Sequence, residues 1–287
     1  MLIRIKNLLS SLSLSKRFFL ISAITILAVY SIVAILIYSQ IKSKIKDYNV
    51  QNLKSDIDLI KKKIETFEQT SKNVAERFLI LFQSMVKGIK PDNEICDRFT
   101  AVTGGSVATI FEKRGDDFLR IATSLKKEDG TRAVGTTLDR SHPAYPLLLK
   151  GESYIGKATL FGKDYMTKYV PVKDGSGNVI GVYFVGFDIS DSMKNFKDTI
   201  RSIKVGKTGY VYVVDYKGTN IVHPFFEGKN SIDSKDANGK EFIKEIVQNK
   251  EGIIYYNWQN PNEMFPREMV AVYTHYPAWQ WIIVASS

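Results

Sequence analysis

Arg120 stands inside an otherwise apolar run at residues 118–125, FLRIATSL. A planar guanidinium with five donors is costly to bury unless it meets an anion or an internal carboxylate. Asp116, Asp117 and Asp188 are the internal candidates, so a bound anion and a structural ion pair both stand as readings. Tyr165 and Tyr169 flank Thr167 at period two, which puts all three on one strand face, walling a pocket or packing a sheet. His142 and His223 each precede a proline, where a loop or helix-start role is the ordinary reading and ligand contact the sharper one.

Catalytic chemistry finds little support. The chain has no G-x-S-x-G, no H-E-x-x-H, no G-x-x-x-x-G-K-[ST] and no G-x-G-x-x-G opening a helix, and no histidine sits beside a plausible nucleophile. No enzyme and no cofactor are expected. Cys96 is the only cysteine, which excludes an intramolecular disulfide and a thiolate zinc site, and three scattered histidines make a metal site improbable. The net charge is +10, but Arg4, Lys6, Lys16 and Arg17 precede any acidic residue, leaving a mild excess without a dense basic block. Nucleic acid is not an expected partner.

These residues must be positioned by the elements around them. Residues 18–38, FFLISAITILAVYSIVAILIY, carry no charge and are long enough at about 1.5 Å per residue to cross roughly 30 Å of hydrocarbon. A cleaved signal peptide would have a shorter apolar core, so an uncleaved anchor is expected, with the N-terminus inside and the large domain outside. From Ile41 to about Gly88 there is no proline or internal glycine, and Ile57, Ile60, Ile64, Phe67, Ser71, Val74, Phe78, Leu81 and Met85 recur at three and four. That rhythm predicts one long helix, whose stripe serves its own domain or, near the membrane, a dimer seam.

After Pro91 the period changes to that of strands. Residues 106–111, 118–125, 165–172 and 179–189 read as antiparallel strands, with a short helix at 144–150 closed by Gly151. A helix at 190–205 leads to strands at 210–215, 220–223, 253–258, 269–275 and 279–285, with a helix at 239–248 before Gly252. Both halves therefore read hairpin, helix, glycine, strands. An α+β architecture follows, with a stalk helix and two small modules.

The stretch VATIFEKRGDDFLRIATSLKKEDGTRAVGTTLDRSHPAYPLLLKGESYIGKATLFGKDYMTKYVPVKDGSGNVIGVYFVGFDIS resembles the first module of the Cache 3/Cache 2 fusion domain, a double Cache, PAS-like sensor. GKTGYVYVVDYKGTNIVHP and the closing PAWQWIIVASS resemble its second half, and the likeness covers about residues 40–287. It implies two PAS-like Cache modules with antiparallel sheets: a cytoplasmic N-terminus at 1–17, a transmembrane helix at 18–38, a stalk helix at 39–90, a membrane-distal module at 91–189, a connecting helix at 190–205 and a membrane-proximal module at 206–287. In related carboxylate sensors an arginine, a histidine three residues on, and an arginine four before a later proline hold the ligand. Arg120 keeps the first position, Thr123 replaces the histidine, and Thr167 stands four before Pro171; His223 takes the histidine position of the second module, with Asn220 in the arginine's place. With Lys157, Tyr165 and Tyr169 these complete the candidate ligand-binding set.

The resemblance further implies the extracytoplasmic sensor of a methyl-accepting chemotaxis protein in a bacterial inner membrane, single-pass and homodimeric. Its ligand is expected to be a small organic acid or amino acid. A histidine kinase or diguanylate cyclase sensor is the alternative, and a truncated membrane decoy a third. Full transducers carry a second span and a signalling coiled coil that would follow Ser287, so a fragment or a truncated product is expected.

Overall fold

The computed structural model describes residues 13–287. The expected cytoplasmic tail, with Arg4 and Lys6, lies outside the described residues over its first twelve positions. Two compact units divide the chain between Asn52 and Leu53.

Helix α1, Leu14–Met85, contains neither proline nor glycine and contributes to both units. Within the first unit its apolar side chains are uncovered: Phe19 is 77% and Ile35 67% exposed. The helix is long and apolar enough to cross a membrane. Its hydroxyls are satisfied locally, Ser22 donating to the Phe18 carbonyl at 2.8 Å and Ser31 to that of Leu27 at 2.9 Å, as an apolar surrounding requires.

The second unit holds two sheets of matching topology. The first is built from β1 (Val107–Arg114), β2 (Asp117–Thr123), β3 (Tyr154–Leu160), β4 (Lys163–Lys173) and β5 (Val179–Asp188), in the order β2-β1-β5-β4-β3. The short α2, Asn93–Val102, precedes it and α3, Ala144–Leu149, interrupts it. Helix α4, Ser190–Arg201, then leads to β6 (Lys204–Val205), β7 (Gly209–Asp215), β8 (Asn220–Val222), α5 (Phe242–Asn249), β9 (Gly252–Trp258), β10 (Arg267–Tyr276) and β11 (Trp281–Ser286). The second sheet runs β6-β7-β11-β10-β9, with β8 also paired to β7. In each, the last strand fills the middle.

The structure departs from the sequence reading in several places, and the helix expected at 190–205 ends at Arg201, with Lys204–Val205 paired as a strand. Residues after Pro91 form α2 rather than turning at once to strands; the Asp92 carboxylate caps it by accepting the Ile95 N–H at 3.0 Å, and Cys96 and Phe99 are its buried residues. Strand β3, carrying Lys157, was not anticipated. Helix α5 ends at Asn249, and Lys250 rather than Gly252 takes the left-handed cap at φ 64°. Trp279 belongs to a single 3-10 turn, Pro277–Trp279, and the last strand starts at Trp281.

One face of the first sheet packs on α1. Leu79 and Phe82 of α1 join Phe99, Ala108, Ile110, Tyr183 and Val185 in one buried cluster. Lower down α1, Phe67 stacks on Phe196 of α4 at 5.0 Å and meets Trp279 edge-on at 6.0 Å, while the buried Glu68 carboxylate accepts the Tyr276 hydroxyl and pairs with Lys72 at 2.9 Å. Leu53, Ile57, Ile60 and Ile64 are each at most 2% exposed. Of the two readings of that stripe, packing within its own chain is the one found, and Ile57, Ile60 and Ile64 are not free to form a dimer seam. A cysteine at Leu59, 56% exposed, should therefore react with a maleimide far faster than one at Ile60, 1% exposed. Cys96 is itself buried and needs no replacement in this assay. Equal labelling of the two positions, read by mass spectrometry, would return Ile60 to the surface.

Candidate functional site

The face of the first sheet away from α1 is covered by residues 124–150, and Arg120 lies beneath them. Its main chain is tied to this cover, the Arg120 N–H donating to the Thr136 carbonyl at 2.8 Å and the Gly135 N–H to that of Arg120 at 2.9 Å. The guanidinium is 6% exposed, donates through Nη1 to Thr136 Oγ1, and stands with Cζ 4.9 Å from the centroid of the Phe111 ring. Its Nε is buried and donates to nothing. Burial lowers the Arg120 pKa, and the guanidinium in turn opposes the rise that burial imposes on the Tyr169 phenol.

Among the described residues no carboxylate pairs with this arginine. Asp117 binds Arg140 at 2.9 Å, Asp188 binds Lys163 at 3.2 Å and accepts the Ser190 N–H, and the Asp116 carbonyl accepts the Tyr145 hydroxyl. Tyr169, which feels the guanidinium electrostatically, belongs to an aromatic group: it lies 4.7 Å from Phe184 and 6.1 Å from Tyr154, and the His142 ring lies 5.4 Å from both tyrosines. A cation with spare donors, in an apolar surrounding, can hold a small anion.

The structure brings Tyr169 to Arg120, whereas Tyr165, on the same face as Phe111 and Phe118, lies six residues further along β4 from the level of Arg120. Thr167 is buried between the tyrosines, its hydroxyl donating to the Gly156 carbonyl at 2.8 Å. Thr123 is occupied elsewhere: it donates to the Ala108 carbonyl at 2.9 Å, accepts the Leu125 N–H at 3.0 Å and meets the Thr109 hydroxyl at 2.6 Å. Lys157 pairs with Asp164 at 3.1 Å. Thr136, Tyr154 and His142 escaped the sequence reading as members of this group, since they lie on three different segments that only folding brings to Arg120, for Thr136, and to Tyr169, for the other two. His142 lies just ahead of the N-cap Pro143 of α3, and its Nδ1 accepts the Ala144 N–H at 3.1 Å.

His223 lies in the second module, in a cavity of about 410 Å³ counting its mouth, lined among others by Tyr212, Asn220, Phe226, Tyr256 and Trp258. Its Nδ1 accepts the N–H groups of Phe225 at 3.0 Å and Phe226 at 3.2 Å, which fixes the neutral ring as the Nε2–H tautomer. The Tyr212 hydroxyl is buried beside that of Tyr256, close enough for the two to act on each other as hydrogen-bond neighbours, but no hydrogen bond of ordinary geometry reaches it.

Burial lowers the His223 pKa from 6.5 to about 4. The unfolded chain then binds the proton more tightly than the folded one, so stability is full above the unfolded value and falls as pH drops toward the folded one. The loss should reach about 2 kcal/mol between neutral pH and about pH 5. His142, also lowered by burial, adds in the same direction. Unfolding midpoints across this window should show a shallower slope in His223→Gln than in the wild type, and identical slopes would remove His223 as the cause.

The profile of the Cache 3/Cache 2 fusion domain matches residues 88–287. The chain belongs to this family. The two sheets are thus a pair of Cache modules, and the domain is a small-molecule sensor domain. The ligand-binding domain of Mlp24 with asparagine shares the fold at a TM-score of 0.53 and 14% identity, over 85% of this chain and 93% of that one. The periplasmic domain of RsbU from Chlamydia trachomatis does so at 0.51 and 12%, over 85% and 96%. In sequence, the sensor histidine kinase MctS of Rhizobium johnstonii is 30% identical over 104 residues, which is 34% of this chain. The match spans 23% of the length of that curated relative.

Proposed function

We propose that the chain is the extracytoplasmic sensing region of a chemotaxis-type transmembrane receptor in a bacterial inner membrane, anchored by residues 18–38, whose membrane-distal module captures the carboxylate of a small organic acid or amino acid. The observation that carries this reading is Arg120, a buried guanidinium with no carboxylate partner and an Nε without an acceptor. A ligand carboxylate at this point would supply the missing anion, with Thr136 beside it and the rings of Tyr169 and His142 shielding it from water. Lys157 and Tyr165 flank the region, and Thr123 and Thr167 hold the strands that carry it.

Transmission follows from the two faces of one sheet. Segment 124–150 closes over the ligand face, and α1 packs through Leu79 and Phe82 on the other. A ligand that favours the closed arrangement biases whichever position of α1 that arrangement prefers. In this reading residues 39–90 act as the stalk, 91–189 and 206–287 as the distal and proximal modules joined by 190–205, and two chains pair in the membrane.

A second reading, the sensor half of a membrane histidine kinase, is favoured by the likeness to MctS. The coding sequence after the Ser287 codon decides between the two outputs. The sensing role itself is tested by thermal midpoints of the full chain in detergent against succinate, malate and a panel of amino acids, each beside its amide. Acids should raise the midpoint and their amides should not; a panel in which no acid does so overturns the assignment.

A further inference from the structure

We propose that the second module holds a ligand site of its own, for an uncharged molecule with a planar apolar body and one hydroxyl or ring N–H, the chemistry of a phenol or an indole. This site shares no residue with the region around Arg120 and does not depend on that reading.

The first argument is charge. No acidic residue, lysine or arginine lines the cavity around His223. Arg267 and Glu263, which act electrostatically on Tyr210 at its wall, pair with each other at 2.9 Å. His223 adds no charge, because burial and its two main-chain donors keep the ring neutral. A carboxylate or ammonium group entering here would give up its hydration and find no counter-charge.

The second argument is shape. Phe242 and Tyr256 stack at 4.3 Å with their planes 7° apart, Trp258 meets Phe242 at 5.1 Å, and Phe226 meets Trp258 edge-on at 6.2 Å. Flat walls of this kind favour a flat occupant by offset or edge contacts.

The third argument is the polar groups left over. The Tyr212 side chain is 2% exposed, lines the cavity, and has a hydroxyl that neighbours Tyr256 but makes no hydrogen bond of ordinary geometry. Such a group is costly to bury unless something completes it. Beside it, Ser231 accepts Asn220 Nδ2 at 2.7 Å and keeps its own proton to donate, and His223 keeps Nε2–H. One acceptor-donor group on an otherwise apolar molecule satisfies this set.

Calorimetric titration of the full chain in detergent, with micelle blanks subtracted, tests the proposal using p-cresol, benzoate and benzylamine, three rings of similar size that differ in charge. The expected result is saturable binding of p-cresol, with benzoate and benzylamine at least on the order of tenfold weaker. Tyr212→Phe should weaken p-cresol on the order of tenfold while the ligand-free thermal midpoint holds or rises, because the variant removes a buried hydroxyl that makes no hydrogen bond of ordinary geometry. Ser234→Trp, which puts an indole into the lining, should abolish binding. Benzoate or benzylamine binding as tightly as p-cresol, no saturable p-cresol binding, or an unchanged p-cresol affinity in Tyr212→Phe would each overturn it.

Discussion

Arg120→Met should cost the distal module roughly ten- to hundredfold in affinity for a small carboxylate, the worth of one charge-assisted contact of about 1.5–3 kcal/mol. The ligand-free chain should lose little stability and could gain some. An arginine in a structural ion pair leaves an unpaired carboxylate behind when removed, but Asp117 and Asp188 already have Arg140 and Lys163. Methionine keeps most of the buried length and takes away an Nε that donates to nothing. The two effects separate cleanly in one experiment, a thermal-shift titration of wild type and variant with the same acid. A lowered ligand-free midpoint with an unchanged ligand-induced shift would make Arg120 a structural residue.

Phe82→Ala should destabilise the second unit by about 3–5 kcal/mol, as large-to-small changes at fully buried aromatics do. Phe82 is 0% exposed and meets Phe99 at 5.2 Å and Tyr183 at 5.9 Å, so three elements, α1, α2 and β5, lose a shared contact. The thermal midpoint should fall by on the order of 10 °C. Hydrogen exchange should report the loss first at residues 79–85 of α1 and in α2, with the second sheet less affected. Uniform loss of protection across both sheets would mean that the modules unfold as one.

Much of this molecule could be read from residues alone. The run at 18–38 is uncharged and long, and most strand runs are β-branched with turn clusters between them, so local chemistry already dictates the majority of the elements. Helix α2 was missed because ten residues with two buried side chains carry little periodicity; Asp92 as a cap after Pro91 was the available signal. The stripe through Ile57 and Ile60 illustrates a different limit: a core stripe and a dimer seam have the same spacing, and only the packed partner distinguishes them. Arg120 stood out because a guanidinium in an apolar strand demands an explanation. Thr136 beside it, and Tyr154 and His142 around Tyr169, did not, because each is unremarkable in its own segment. The second cavity was signalled by His223 alone, and its aromatic walls come from strands and a helix distant in sequence.

The placement of β5 and β11 has a consequence for biogenesis. A chain threaded across a membrane from its N-terminus delivers β7 and β10 before β11, which must then enter between them. Until Trp281–Ser286 arrive, two apolar strands each expose an unpaired edge at the centre of the future sheet. The first sheet passes through the same stage and leaves it when β5 is delivered. Each module therefore has its period of greatest exposure to misassociation just before its final strand emerges, and in the proposed extracytoplasmic topology holdases that bind open strand edges would act in two pulses, one per module.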